Sequence, residues 1–259
     1  YQHAPVAYQI RGGLQIPIVA RYDLRGRATA GFVLGEYDKE LPLVIDPVLT
    51  YSTPLGGGAQ EEARGIDVDK GWFADKDPVF VAGQTDSMNF PGTDGAIPPS
   101  GKNVFVTGLD PELSGPQAVL FSGYFGGGGD DAANTLKTCL FSLQSVSMIV
   151  TGETRSSDFP ISGDAVMKEM NRGDNTANTD AFLLRVDYNL IDTTLGIIFS
   201  TYLGGKDDDW GNAVAVDTSS IYVAGGTKSP DFPVAGVGYT ANPSFTQDGF
   251  VSHITNIVS

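Results

Sequence analysis

The strongest constraint on this chain is a motif, Thr-x-Ser-x-(Asp/Asn)-Phe-Pro, that returns three times. It occupies residues 85–91, 154–160 and 227–233, and its phenylalanines, Phe90, Phe159 and Phe232, lie 69 and 73 residues apart. A second marker, aromatic-Ser-x-x-apolar-Gly-Gly, keeps nearly the same beat at 51–57, 121–127 and 199–205. Two markers sharing a period of about seventy residues signal repeated supersecondary units, which stack because none can bury its apolar face alone.

Between the markers, apolar residues alternate with small or polar ones, the period of a strand. The first unit offers strands at 65–69, 79–83, 104–109 and 119–125, and the middle unit at 136–142, 147–152, 181–187 and 197–203. The last offers 213–217, 221–225 and 249–254. Short strands, four to a unit, joined by Gly, Asp, Asn and Pro turns, predict an all-β chain of β-propeller-type blades, each of four antiparallel strands. The expected blades are 56–125, 126–203 and 204–259. The glycine pairs suit the exit from one blade to the next. The Asp or Asn of the Phe-Pro motif suits an Asx-turn, and the phenylalanine is expected to plug the gap between adjacent blades.

The run Asp46-Pro47-Val48-Leu49-Thr50-Tyr51-Ser52-Thr53-Pro54-Leu55-Gly56-Gly57, the later Phe199–Gly205 run and the Ser-x-Asp-Phe-Pro motifs resemble the bacterial and archaeal beta-propeller repeat family SBBP over 46–259. The resemblance implies large secreted or cell-surface proteins with no shared catalytic activity. Two departures stand out: Pro54 sits where the other repeats carry Tyr124 and Tyr202, and the middle unit holds a polar insertion at 164–179.

Residues 48–55 read as a fourth-type strand without the three that should precede it, while the last unit supplies three strands and no fourth. Three blades are too few to close a ring. Either the gene product is longer, or strand 48–55 completes an open blade in the same chain or a neighbouring one, giving head-to-tail assembly. Residues 1–47 lack the repeat and predict strands at 6–10, 16–24, 30–34 and 41–45, the tail of a separate small N-terminal β-domain.

Net charge is −15, with sixteen Lys and Arg against thirty-one acids. Nucleic-acid binding needs clustered cations, so that partner class is excluded. No apolar run reaches the eighteen residues of a membrane-spanning helix. The single cysteine, Cys139, makes no internal disulfide and reads as a buried strand residue.

The chemistry-bearing residues are acidic. Glu61-Glu62, Asp130-Asp131 and Asp207-Asp208-Asp209 each follow a glycine pair by a few residues, in what reads as one turn of successive repeats. Neighbouring carboxylates repel, and calcium would relieve them; solvated turn acids are the competing reading. With only His3 and His253, and no nucleophile elbow, zincin or phosphate-loop motif, no catalytic or cofactor site is expected. Arg172-Gly173-Asp174 matches an adhesion tripeptide, a match that arises readily by chance. The function that follows is a non-catalytic extracellular structural or adhesive module, self-associating as a filament or surface-layer subunit by strand donation, or touching other surface proteins and glycans. The alternatives are a polysaccharide-acting enzyme with carboxylates in a propeller channel and a calcium-dependent carbohydrate-binding domain.

Overall fold

A computed structural model describes residues 5–25, 29–46, 51–68, 77–93, 98–217, 219–236 and 246–255. It is all-β, and the chain divides into two compact units, Tyr1–Pro54 and Leu55–Ser259.

In the first unit, β1 (Val6–Arg11) and β2 (Leu14–Ile18) form a hairpin whose turn, Gly12-Gly13, has positive φ at both residues (59° and 82°). Two left-handed residues match the twist of paired strands, and only glycine takes them without strain. β5 (Leu43–Asp46) pairs with the other edge of β1, giving the order β2-β1-β5. β3 (Ala20–Arg25) and β4 (Thr29–Leu34) form a separate hairpin. The expected strand 16–24 is therefore two strands in two sheets, broken at Val19, whose carbonyl accepts the Gly35 amide at 2.7 Å. Buried Gln9 pins the 38–41 loop, donating to the Asp38 and Leu41 carbonyls and accepting the Asp38 amide.

The second unit is a series of antiparallel meanders. The first blade holds β6 (Glu61–Val68), β7 (Val79–Thr85), β8 (Asn103–Leu109) and β9 (Val119–Phe125). The second holds β10 (Asp131–Ser142), β11 (Ser145–Thr154), β12 (Asp180–Asn189) and β13 (Leu195–Leu203). The third holds β14 (Asp209–Val216), β15 (Ser220–Thr227) and β16 (Asp248–Thr255). Each sheet runs in sequence order. Residues 48–50 of the expected lone strand lie outside the described residues, and 51–55 lie outside any strand.

The blades stack face on face. One core joins Phe80, Val104, Val106 and Phe121 of the first blade to Met148, Val150, Phe182 and Leu184 of the second. Another joins Ile149, Leu183 and Phe199 of the second to Ile221, Val223 and Phe250 of the third. The second blade is thus apolar on both faces, which its unbroken runs Met148–Val150 and Ala181–Leu184 require. Each fully buried aliphatic or aromatic side chain contributes about 1.5–3 kcal/mol relative to exposure.

β6, β10 and β14, the leading strands, start four residues before the sequence pattern for β6 and β14 and five before it for β10. The reason is a bulge repeated in every blade, with Arg64, Asn134 and Asn212 as the extra residues. An extra residue flips the alternation, hiding the strand's first part from a period-two reading. The bulge also turns a carbonyl at the neighbouring strand: a Cβ on Gly83, Gly152 or Gly225 would sit 1.9, 1.9 and 2.0 Å from the oxygens of Glu62, Ala132 and Trp210. Bulge residues link the blades as well. Arg64 Nη1 donates to Asn134 Oδ1 at 2.8 Å, and Asn134 Nδ2 donates to the Gly211 carbonyl at 3.0 Å.

The three motif phenylalanines occupy equivalent places. Phe90, Phe159 and Phe232 pack on Phe105, Phe182 and Phe250 of their own blade's third strand, at centroid separations of 4.5, 4.7 and 4.4 Å. Phe159 and Phe232 also belong to the cores shared with the preceding blade, where the gap-filling role was expected. The insertion after Phe159 is a strap along β13: the Ser162 amide donates to the Ser200 carbonyl, and the Met167 amide to Thr201 Oγ1.

Candidate functional site

The acidic residues that sequence reasoning placed in one turn separate into two kinds. Glu61, Asp131 and Asp209 are the first residues of β6, β10 and β14 and face the blade, not solvent. Each accepts from the Thr-x-Ser motif of its own blade. Asp131 takes Thr154 Oγ1, Ser156 Oγ at 2.8 Å and the Gly127 amide at 2.9 Å. Asp209 takes Ser229 Oγ at 2.7 Å and the Gly205 amide at 2.7 Å, and Glu61 takes Thr85 Oγ1 at 3.1 Å and Ser87 Oγ.

The same motif closes the incoming turn. Ser87, Ser156 and Ser229 each accept a turn amide, from Ala59, Gly129 and Asp207. Asn89, Asp158 and Asp231 accept the Gly58, Gly128 and Lys206 amides, long-range bonds to the incoming turn where a local Asx-turn was expected. In the complete blades a fourth-strand tyrosine finishes the network. Tyr202 Oη donates to the Ser156 carbonyl at 2.7 Å and accepts the Phe159 amide at 3.1 Å. Tyr124 Oη does the same with Ser87 (2.9 Å) and Phe90 (2.8 Å). Thr, Ser, Phe and the distant acid are therefore one hydrogen-bonded unit, which is why they recur together.

The remaining acids lie on the rim. Glu62 meets Arg64 at 2.9 Å and accepts from Gln84; Asp208 meets Lys228 at 2.9 Å. Asp130 accepts the Lys102 amide, with Arg155 at 3.7 Å, and Asp207 engages Ser229 through its backbone. Among the described residues no three metal-ligating side chains gather, so the expected calcium ligands are dispersed over separate networks.

Burial makes three buried aspartates poor carboxylates. It pushes Asp131 up to about 6 against its three donors, and Asp180, the first residue of β12, up to about 7, with Asp209 adding repulsion. Asp209 is also raised by burial. Asp180 and Asp209 flank the Cα of Gly204, where a Cβ would lie 2.6 Å from Asp180 Oδ1 and 2.9 Å from Asp209 Oδ2. Both residues are fully buried, and each keeps an oxygen without a partner among the described residues. Asn103 and Asp131 flank Gly126 in the same way at the preceding junction. Sequence reasoning missed Asp180 and Asn103; their signal was position, each opening a third strand opposite a motif threonine (Thr154 and Thr85).

A polar depression of about 380 Å³ opens beside Glu61, lined by Glu62, Gln84, Asp86 and Lys102. It has no aromatic wall, and Glu61 and Glu62 are both already hydrogen-bonded. The Cys139 thiol, pushed up to about 12 by burial, is no nucleophile.

Residues 1–48 match a family described as Domain of unknown function (DUF7948). No curated protein matches the chain.

Proposed function

We propose that this chain is a non-catalytic structural or adhesive module, displayed outside the cell, that holds neighbours through β-surface. The reading rests on one observation. The acids that would supply chemistry are spent on hydrogen bonds within their own blades, while among the described residues the outer face of the third blade is uncovered. Val251 on that face is 78 % exposed, whereas its equivalents Val106 and Leu183 are fully buried under the next blade. The partners that fit are copies of this chain, other blade-bearing surface proteins, or glycans. The acidic charge and the resemblance of the repeats to secreted SBBP proteins support an extracellular setting.

Sedimentation velocity on the wild type and Val251→Glu tests this. Particles that grow with concentration, and a variant that stays monomeric with an unchanged melting temperature, are expected. A strictly monomeric chain that hydrolyses a polysaccharide, with turnover lost in Glu62→Gln, would sink the structural reading in favour of a carboxylate enzyme at the Glu61 depression.

A further inference from the structure

Two acceptors face each other across the glycine at both blade junctions, and acceptors repel unless a proton lies between them. At the first, Asn103 Nδ2 donates to the Pro99 and Gly101 carbonyls, which turns Asn103 Oδ1 toward Asp131 over Gly126. One carboxyl sits there, and Thr154 Oγ1, Ser156 Oγ and the Gly127 amide hold it when it is ionised. At the second, Asp180 stands in the place of the asparagine, so two carboxyls meet over Gly204. Asp209 keeps donors of the same kind, Ser229 Oγ and the Gly205 amide, with Thr227 beside it. Asp180 accepts only the Asn171 amide of the strap, at 2.9 Å. Oδ1 of each aspartate has no partner among the described residues.

The cations nearby are engaged elsewhere. Arg172 on the strap faces Asp180, but its guanidinium donates to the Arg155 and Thr176 carbonyls. Arg155 and Lys228 on the rim meet Asp130 and Asp208. Asp231, in the turn after β15, adds repulsion to both aspartates, and the Tyr202 hydroxyl of β13 donates to the Ser156 carbonyl. We propose that Asp180 and Asp209 share one proton, and that its loss above neutral pH lets the third blade part from the second while the first junction stays closed. The second junction is also the smaller one. Among the described residues its core holds nine buried apolar side chains, against seventeen at the first, and local opening falls where least apolar surface is covered. Burial pushes Asp180 up to about 7, so the closed junction holds a proton that the parted one releases. Closure is therefore firmest below about pH 4, weakens toward pH 7 and stays weak above it.

Cys139, the single cysteine, reports the opening. It packs against the core of the second junction at the far end of the blade, in register with Ser147, whereas Asp180 is in register with Thr154. A maleimide gains access to it when the blades part along their length, not when the residues around Asp180 fray. Dividing the labelling rate of the wild type by that of Asp180→Asn at each pH cancels the ionisation of the thiol itself. That ratio should grow roughly tenfold or more between about pH 5 and pH 8.5. Over the same range, hydrogen exchange corrected for its own pH dependence should quicken in β15, whose sheet loses its apolar cover, and not in β7. A ratio that does not change with pH overturns the shared proton. So does a ratio that calcium chloride returns to its acid value, which places a cation between the carboxyls. Equal quickening in β7 means that the chain opens only as a whole, and overturns the separate junction. None of these results involves the outer face of the third blade, so the structural reading stands or falls by its own sedimentation test.

Discussion

The junction between the first and second blades and the junction between the second and third are built from the same parts, yet they answer differently to charge and to bulk. Both bring two polar side chains against the Cα of a glycine, Asn103 and Asp131 at Gly126, Asp180 and Asp209 at Gly204. Both bring leading strands together at the bulges. The first junction pairs an amide with a carboxyl; the second pairs two carboxyls. What differs is therefore not the architecture but how far each copy of it depends on protons and on room for side chains.

The largest expected contrast is steric. A Cβ on Gly65 would meet the backbone of the second blade, 2.6 Å from the Leu136 nitrogen and 2.8 Å from the Thr135 carbonyl carbon. A Cβ on Gly211 would meet a side chain, Thr151 Oγ1 at 2.0 Å. Backbone cannot rotate away, so Gly65→Ala should cost about 3 kcal/mol or more in chemical denaturation. Gly211→Ala should cost less, and part of its loss should return in the double variant with Thr151→Ala, a coupling that a double-mutant cycle measures. Equal losses at both glycines would mean that the first junction is looser than its geometry.

The repeat markers made the blades legible because they recur as one set at each blade corner, the second glycine of each pair packed against the Ser and the Asp or Asn of the following Phe-Pro motif. The leading strands were legible only in part, since the bulges at Arg64, Asn134 and Asn212 reverse the alternation on which a strand is recognised. That error carried the acids with it. Glu61, Asp131 and Asp209 look like turn residues when the strand is started four or five residues late, and like solvated carboxylates when their Thr-x-Ser partners lie 20 to 26 residues away. Val-x-Gly-x-Thr around Gly83 and Gly152, and around Gly225, was the overlooked signal: glycine persists there because a bulge carbonyl occupies the space of a side chain. Asp180 shows in the sequence only as the residue that opens a third strand, because its significance comes from Asp209 across a blade junction.

The second contrast is in pH. Asp180 in the folded chain titrates near 7, against about 4 when unfolded, so the native state holds a proton that the unfolded chain releases across that window. Stability from this group is fully present below about pH 4, falls as pH climbs toward 7, and is flat above. Asp180→Asn copies the residue that the first junction already uses, and should stabilise the chain at pH 8 by on the order of 2 kcal/mol with little change at pH 4. Asn103→Asp should do the reverse, destabilising at pH 8 more than at pH 4. Thermal melts of both variants across that range decide it. A pH-independent effect of Asp180→Asn would show that the carboxyl is held ionised, and that its partnerless oxygen is satisfied by a cation instead of a proton.

The smallest contrast concerns the bulge contacts that cross the junctions. Arg64 reaches Asn134 from a partly exposed position, where a hydrogen bond held by a long side chain contributes little once its ordering is counted. Asn134 also donates to the Gly211 carbonyl, so one side chain serves both junctions. Arg64→Ala should therefore cost about 0.5 kcal/mol or less, and Asn134→Ala about 1 kcal/mol. The sharper measurement is additivity. If the junctions fold as one cooperative unit, Arg64→Ala on the Asn134→Ala background should add nothing, because the bond it removes is already gone. An undiminished second loss would mean that Arg64 acts through Glu62, its ion-pair partner at 2.9 Å, and that the first junction is held at its rim and not at its bulge.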